Sequence, residues 1–424
     1  MEEKNQAIIA IRRKLVGKRL DYKEIYAIMD QIAKGKFGDI LTTYFAASGF
    51  SKGFSDEELY FLTKAMVETG EKLHFTGIVA DKHSIGGIPG TRTTLIVIPI
   101  VAASGFTIPK SSSRAITTPG GTADDMEVLA PVKLSKEKIY DVVEKTNGCI
   151  VWGGSFNIAP ADDEIIKVEE ELLFESFDKI IVSIMAKKVA FGSNHVVIDL
   201  PYGPTAKVQR LSDAEILAGK FEKLAKKFDI EIKVLVHRVV EPTGQGIGPM
   251  LEARDALKVL EQKADRPMDL ENKSLLIAST LLDLCIQDAS KEAKEFFKEN
   301  YENTRQWAEE ILRSGYALKK LKEIIVAQGG KPNIKSERLK AGKHHFKVKS
   351  EKKGELSSYH LKNLTAISKI LGAPQMKEAG IFLSKKVSHH VEIGDEICTL
   401  FSEKVYNLNE AIDSLDNLEL FKIE

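Results

Sequence analysis

The sequence predicts an α/β protein in three parts: a small all-helical lobe, a large α/β lobe built on a mostly parallel sheet, and a C-terminal α+β domain. Three observations predict it. Apolar residues recur at helical spacing through the first 70 residues. From about residue 76, short apolar runs alternate with helical stretches. After about residue 334, strand-like runs and turns surround a single helix. The boundaries drawn from this are 1–70 for the helical lobe, with 162–192 returning to it, 71–161 and 193–333 for the α/β lobe, and 334–424 for the C-terminal domain.

In the helical lobe, Ile8, Ile9, Ile11 and Leu15 form one apolar face, Tyr26, Ile28, Met29 and Ile32 a second, and Leu59, Phe61, Leu62 and Met66 a third. Ser55 ahead of Asp56-Glu57-Glu58 reads as a capping box. In the α/β lobe, the runs Gly77–Ala80, Cys149–Trp152, His195–Asp199 and Ile232–Val236 read as strands, each followed by a helical pattern. In the C-terminal domain, Phe346–Gly354, Gly380–Ser388 and Glu396–Phe401 read as strands and Ser358–Leu371 as a helix. The lysine-rich stretch Gly329–Lys343 reads as the link.

Composition narrows the function. Of 424 residues, 43% are hydrophobic and 29% charged, which suits a globular protein with a large core. Lys plus Arg and Asp plus Glu both total 61, so the chain lacks the basic excess of a general nucleic-acid binder. Cys149, Cys285 and Cys398 lie far apart and show neither disulfide nor metal spacing. The charged start Met1-Glu2-Glu3-Lys4 is no signal peptide, and the apolar run Leu95–Ala103 is too short to span a bilayer. A cytoplasmic protein with no membrane partner is expected. His389-His390 lack neighbouring ligands, so no metal is expected.

Two loops carry the chemistry. Asp81–Thr94 holds Lys82, Ser84, Gly86, Gly87 and Thr94 between a strand and a helix, where backbone N–H groups and the helix dipole favour an anion. It is neither a Walker A loop nor a G-x-G-x-x-G turn, and a plain glycine turn fits the same residues. Lys110–Asp125 repeats the theme with Ser112, Ser113, Arg114, Thr118 and Gly121-Thr122. Thr122 with Asp125 fits a capping box, and the same position suits an anion. Two such loops at strand ends of one sheet favour a shared phosphate site. On the helix over Ile180–Ala190, Ser183 and Lys187 share a face, which spacing alone reads as solvated. Glu169, Glu170, Glu171 and Glu175 form an acidic cluster, usually a solvated surface, in which one pocketed carboxyl would serve as a general acid.

Taken together, Asp81-Lys82-His83-Ser84 with Gly86-Gly87, the Ser112–Arg114 loop with Gly121-Thr122, Ala159-Pro160-Ala161-Asp162, and Ser183 with Ala186-Lys187-Lys188 resemble the thymidine and pyrimidine-nucleoside phosphorylases. The resemblance covers essentially the whole chain. Pro89 in the glycine loop, Ser112–Thr117, Trp152-Gly153-Gly154, Asp199-Leu200-Pro201 and Gly246–Pro249 with Glu252–Asp255 are most similar to the AMP phosphorylase branch. Glu169 stands where a thymidine phosphorylase carries an arginine. Two features differ from that branch: the helical lobe starts almost at once where an extra N-terminal domain is usual, and Glu175 replaces the usual aspartate proton donor.

The resemblance implies reversible phosphorolysis of an N-glycosidic bond, most readily in a nucleoside 5′-monophosphate such as AMP, with inorganic phosphate as co-substrate and no cofactor. It implies a homodimer through the helical lobe. Phosphate would be held by Lys82, Ser84, Thr94, Ser112 and Thr122. Gly87, Ser113, Arg114, Ala115, Ile116, Thr117, Thr118, Glu169, Ser183 and Lys207 would line the nucleotide site. Glu175, His83 and Lys187 would carry the catalysis. Arg114 and Lys207 suit a 5′-phosphate or a structural ion pair equally. The rivals are thymidine or uridine phosphorolysis, and phosphoribosyl transfer, which would need an acidic pair such as Asp124-Asp125 for a magnesium-bound pyrophosphate.

Overall fold

A computed structural model describes residues 2–49, 53–115, 118–172 and 176–424. It opens on four helices: α1 (Glu2–Leu15), α2 (Tyr22–Ala33), α3 (Gly38–Ser48) and α4 (Asp56–Glu68). Capping boxes start α2 at Asp21 with Glu24, and α4 at Ser55 with Glu58, as the Ser55 motif predicts. Helix α3 has no separate apolar face in the sequence reading, because its buried positions include Thr42, Ala46 and Ser48.

The α/β part runs β1 (Ala80–Ser84), α5 (Thr94–Ala103), β2 (Ile108–Ser112), α6 (Thr122–Glu127), α7 (Lys136–Thr146), β3 (Gly148–Trp152), α8 (Pro160–Leu172), α9 (Phe177–Ala190), β4 (His195–Tyr202), α10 (Leu211–Lys226), β5 (Glu231–Arg238), β6 (Gly246–Ile247), and α11 (Pro249–Leu260) to α12 (Met268–Asp288), α13 (Lys291–Asn300), α14 (Thr304–Arg313) and α15 (Tyr316–Ala327). Strand β1 begins where the expected strand Gly77–Ala80 ends. Lys82, His83 and Ser84 therefore sit on a strand rather than in the loop after it.

Strands β1, β4 and β5 form one parallel ladder, and β2 and β3 another. Among the described residues the two meet at a single parallel bridge, Val79 with Thr107, just before β1 and β2 begin. All five strands thus point the same way. Only the entry ends of β1 and β2 are bridged, so their C-terminal ends border a crevice, the usual ligand position in an open parallel sheet. Helix α5 is buried on every side, as an all-apolar segment must be, and packs inside the main core with α11, α12 and α15.

Helices α8 and α9 do not pack on that core. Ile165, Val182 and Ala186 join Ile28, Phe45 and Leu62 in the core of the helical lobe. The opposite side of α9, through Ile181, Ile184 and Met185, packs on β4 and α10. Helix α9 therefore links both lobes.

The C-terminal part holds β7 (His344–Lys349), β8 (Gly354–Tyr359), α16 (Leu361–Ile370), β9 (Gly380–Leu383), β10 (His390–Val391), β11 (Glu396–Ser402), α17 (Val405–Asp413) and β12 (Phe421–Ile423). The segment Ser358–Tyr359 belongs to β8, so the helix starts later than the sequence pattern suggests. Strand β6 pairs with β9 and enters the C-terminal sheet, tying this part to the α/β lobe. No described helix is long and apolar enough to cross a membrane.

Candidate active site

A cavity of about 620 Å³, the size of a small-molecule site, lies between the helical lobe, the C-terminal ends of β1 and β2, and the end of α16. At one end, Lys82 is buried on β1. Its Nζ donates to Ser84 Oγ at 3.0 Å and to Thr93 Oγ1 at 2.7 Å. Burial pushes its pKa down to about 7, with Asp199 opposing and Lys273 and Arg92 adding to the fall. Ser112 closes β2, and its buried hydroxyl has no hydrogen-bond partner among the described residues. A buried hydroxyl without a partner is costly unless a ligand supplies one. Thr94 is the first residue of α5 and Thr122 the first of α6, and both line the cavity with Ser84. Five residues expected to hold phosphate therefore converge.

The box around Thr122 differs from the expected one. Gly121 is the N-cap, and Asp124, not Asp125, accepts from the Gly121 N–H at 3.0 Å. Glycine is required there because a Cβ would stand 2.4 Å from the Arg114 carbonyl carbon. Asp124 also accepts from the Ala115 N–H at 2.7 Å and pairs with Arg114 at 2.9 Å, while buried Asp125 pairs with Arg92 at 2.5 Å. These carboxylates hold the loops in place, which leaves the acidic pair needed for a magnesium-pyrophosphate without its expected freedom. Among the described residues no group of three or more His, Cys, Asp or Glu could hold a metal.

At the other end, Ser183 and Lys187 of α9 face the cavity, contrary to the solvated face that spacing alone favours. Buried Asp162 of α8 fixes both: Lys187 Nζ lies 2.6 Å and Ser183 Oγ 2.8 Å from its Oδ2. Lys187 also donates to Ser183 at 3.2 Å. Beneath them, Asp81 holds Lys188 at 2.5 Å and Lys110 at 3.3 Å, and these cations keep its carboxyl below the usual range despite complete burial. His83 stands on β1 between these groups. Burial, followed by the charges of Lys188, Lys110, Lys187 and Lys82, drives its pKa well down, so the imidazole is neutral at pH 7. Met29, Phe45, Leu62, Met66, Ile165 and Ile180 supply an apolar wall.

Glu169 is also no solvated carboxylate. It is buried, lines the cavity and pairs with Lys179 at 2.8 Å. Arg114 lines the cavity too, but its guanidinium is bonded to Glu127 at 2.6 and 2.8 Å and to Asp124, and lies over the Trp152 ring. Of the two roles open to Arg114, the structure shows the ion pair. Ser113, Ala115, Thr118 and Lys207 line the cavity. Gly86 lines it rather than Gly87, whose positive φ and 2.8 Å approach of a would-be Cβ to Lys207 make it the packing site for that lysine's backbone. Ile116, Thr117 and Glu175 lie outside the described residues.

A glycosyl transferase family model for the helical bundle domain matches residues 9–70, and one for the α/β domain matches residues 76–318. The chain belongs to the glycosyl transferase family. Within it, this glycosyl transferase is 43% identical to an AMP phosphorylase of Thermofilum pendens over 93% of the chain and 74% of that protein. It is 40% identical to an AMP phosphorylase of Methanocaldococcus jannaschii, over 100% and 82%. It is also 40% identical to a putative thymidine phosphorylase of Legionella pneumophila, over 97% and 76%. The crystal structure of anthranilate phosphoribosyltransferase from Thermus thermophilus shares the fold, with a TM-score of 0.61 and 16% identity over 75% of this transferase and 99% of that chain.

The sequence reading missed Lys179, Lys273 and Lys369, and gave no separate role to Thr93, Lys110, Asp162 or Asp199, which lie in the motifs it quoted; all but Thr93 are on the cavity lining. The period-two pattern of β1 offers a signal for one partner: Asp81 and Lys82 point to opposite faces, so one of two adjacent charges must meet a buried counter-charge.

Proposed function

We propose that this glycosyl transferase moves the ribosyl group of a nucleoside 5′-monophosphate, most readily AMP, to inorganic phosphate, giving free base and ribose 1,5-bisphosphate. The observation that carries the reading is the pairing of two ends of one cavity: an anion end with Lys82 and the unpartnered Ser112 hydroxyl, and a polar end with Ser183, Lys187 and neutral His83 beside an apolar wall. The AMP phosphorylase names of relatives at about 40% identity support the substrate.

In this reading, Lys82, Ser84, Thr94, Ser112 and Thr122 hold phosphate beneath the anomeric carbon. The bond from that carbon to the base nitrogen breaks with its electron pair going to the base, and a phosphate oxygen bonds to the carbon. Positive charge on the sugar is stabilised by the bound dianion, as a carboxylate does in glycosidases. Lys187 donates a hydrogen bond to the charge growing on the base, and Asp162 holds it in position. Glu175 is assigned the proton transfer by sequence alone. No cofactor or metal has a part. Exposed Ile9, Val16, Ile40 and Tyr44 on and beside α1 and α3 support a homodimer through the helical lobe. Three buried, unbonded cysteines support a cytoplasmic setting.

The test is phosphate-dependent base release from AMP, CMP, UMP, adenosine, uridine and thymidine, measured side by side. Turnover confined to the 5′-monophosphates is expected. Turnover of thymidine or uridine alone would assign the chain to pyrimidine-nucleoside phosphorolysis instead.

A further inference from the structure

One lysine of the C-terminal domain reaches the phosphate end from behind. Lys377 lies in the turn that leads into β9, beyond the residues matched by the family's α/β domain. Its root is fixed. Its carbonyl accepts from the Met250 N–H of α11 at 3.0 Å, and shortly after it Ile381 pairs with Ile247 of β6. Its Nζ stands 3.1 Å from Asp124 Oδ1 and 3.1 Å from Glu127 Oε2, both on α6. Helix α6 begins with Thr122 and is six residues long. So short a helix gains little from its own backbone bonds and takes its position from the groups that hold it.

Asp124 is the member of this cluster that touches the loops. Its side chain is buried, and each oxygen has two partners. Oδ2 accepts from the N–H groups of Ala115 and Gly121 at 2.7 and 3.0 Å, and Oδ1 from Arg114 at 2.9 Å and Lys377 at 3.1 Å. The two cations on one oxygen offset the cost of burying the charge, and the other oxygen stays an acceptor for the two amides. Those amides fix where the exit of β2 stands relative to Gly121-Thr122. Asp124 thereby sets the spacing of Ser112 and Thr122, which both line the cavity. Glu127 braces the cluster by accepting from Arg114 as well as Lys377. Of the four charged groups, Lys377 is the one that comes from the C-terminal domain.

We propose that Lys377 is a positioning residue for inorganic phosphate: through Asp124 it holds Ser112 and Thr122 at the spacing that an oxyanion needs, so that the docked C-terminal domain sets phosphate affinity. This rests on the phosphorolysis reading above. Lys377 acts from behind the cavity wall and touches no reacting atom. Its loss weakens the hold on phosphate in the ground state and the transition state alike, which raises KM and leaves kcat nearly unchanged.

The experiment measures the phosphate KM and kcat for the best substrate, and the Kd of inorganic phosphate by calorimetry, in the wild-type chain, in Lys377→Met and in Lys377→Arg, with thermal unfolding as the check on folding. Expected for Lys377→Met is a rise of about tenfold in phosphate KM and Kd with kcat within about twofold of wild type, and recovery of most of the affinity in Lys377→Arg. Where Lys377→Met does not fold, the milder Lys377→Gln gives the same comparison. Wild-type phosphate KM and Kd in a folded variant without the charge overturn the role of Lys377 and leave the phosphorolysis reading standing. So does a fall in kcat at unchanged phosphate KM, or a Lys377→Arg protein that binds phosphate no better than Lys377→Met. Base release by the wild-type chain that does not depend on phosphate overturns the phosphorolysis reading, and this inference with it.

Discussion

Asp162 and Lys187 meet at 2.6 Å across the gap between α8 and α9, and the Asp162 carboxylate is buried while the lysine faces the cavity. The same oxygen accepts from Ser183, so one carboxylate aims two groups at the position of the base. Without it, Lys187 has a long flexible stem and several rotamers. Lys187→Ala is expected to lower kcat by about 100-fold, the scale of losing one preorganised donor at a developing anion. Asp162→Asn is expected to cost about tenfold in kcat/KM, because Lys187 stays but is no longer held. Steady-state kinetics on both variants checks this. An Asp162→Asn protein with wild-type kinetics would detach the carboxylate from catalysis.

Lys82 gives a pH prediction with a definite sign. Its pKa of about 7 lies far below the ordinary lysine value because it is buried beside Lys273 and Arg92. The empty site therefore loses its key positive charge as pH rises through 7, and anion binding must weaken. Sulfate keeps a constant charge across this range and is the clean probe. Its Kd, measured by calorimetry from pH 6 to 9, is expected to rise by about tenfold per unit above pH 7, and Lys82→Gln is expected to bind weakly at every pH. The same shift acts on stability in the opposite sense. Between pH 7 and the unfolded lysine value, the unfolded chain binds more protons, so this group makes the unliganded protein more stable as pH rises. A flat sulfate profile in the wild-type chain would refute the lowered pKa.

Asp81 stands behind the site as a structural ion. It is fully buried and holds both Lys188 and Lys110. Replacing it with Asn leaves two buried ammonium groups facing each other without a counter-charge. The expected loss is about 3–5 kcal/mol of folding stability, read by urea unfolding. Its folded pKa is depressed, so its contribution is present above the unfolded carboxylate value and is lost as pH falls through the folded one. Because these lysines also help to keep His83 neutral, activity in any folded Asp81→Asn protein should shift its pH profile as well.

Much of this architecture is legible in the sequence, for physical reasons. The Ser55 capping box and the apolar runs of β3 and β4 have local causes, namely backbone donors that need an acceptor and strands buried on both faces, while β5 shows itself by apolar residues on alternate, partly buried positions. The sequence points to Lys82, Ser84, Ser112 and Thr122 as lining one cavity because charged and hydroxyl residues beside glycines recur at two strand ends, although a glycine turn alone would fit the same pattern. What was not readable depends on long-range pairing. The Thr122 box slips by one residue because Asp124 is recruited by Arg114 and Ala115 as well as by Gly121. The Ser183–Lys187 face reads as solvated until Asp162, 21 residues upstream, is brought against it. Lys369 is silent in sequence because its position depends on docking α16 through Leu361.

Arg114 lines the cavity and carries a charge able to meet a 5′-phosphate. Arg114, however, is already bonded to Glu127 through both terminal nitrogens and to Asp124 through one of them. To bind substrate phosphate it would have to give up these bonds and leave buried Asp124 with less compensation. Arg114→Met is therefore expected to lower stability by about 1–3 kcal/mol, through loosening of the 113–121 loop, while the ratio of kcat/KM for AMP to that for adenosine stays at the wild-type value. Thermal unfolding and paired kinetics on the one variant separate the two roles. A collapse of that ratio with unchanged melting would move Arg114 from the loop's framework to the nucleotide itself.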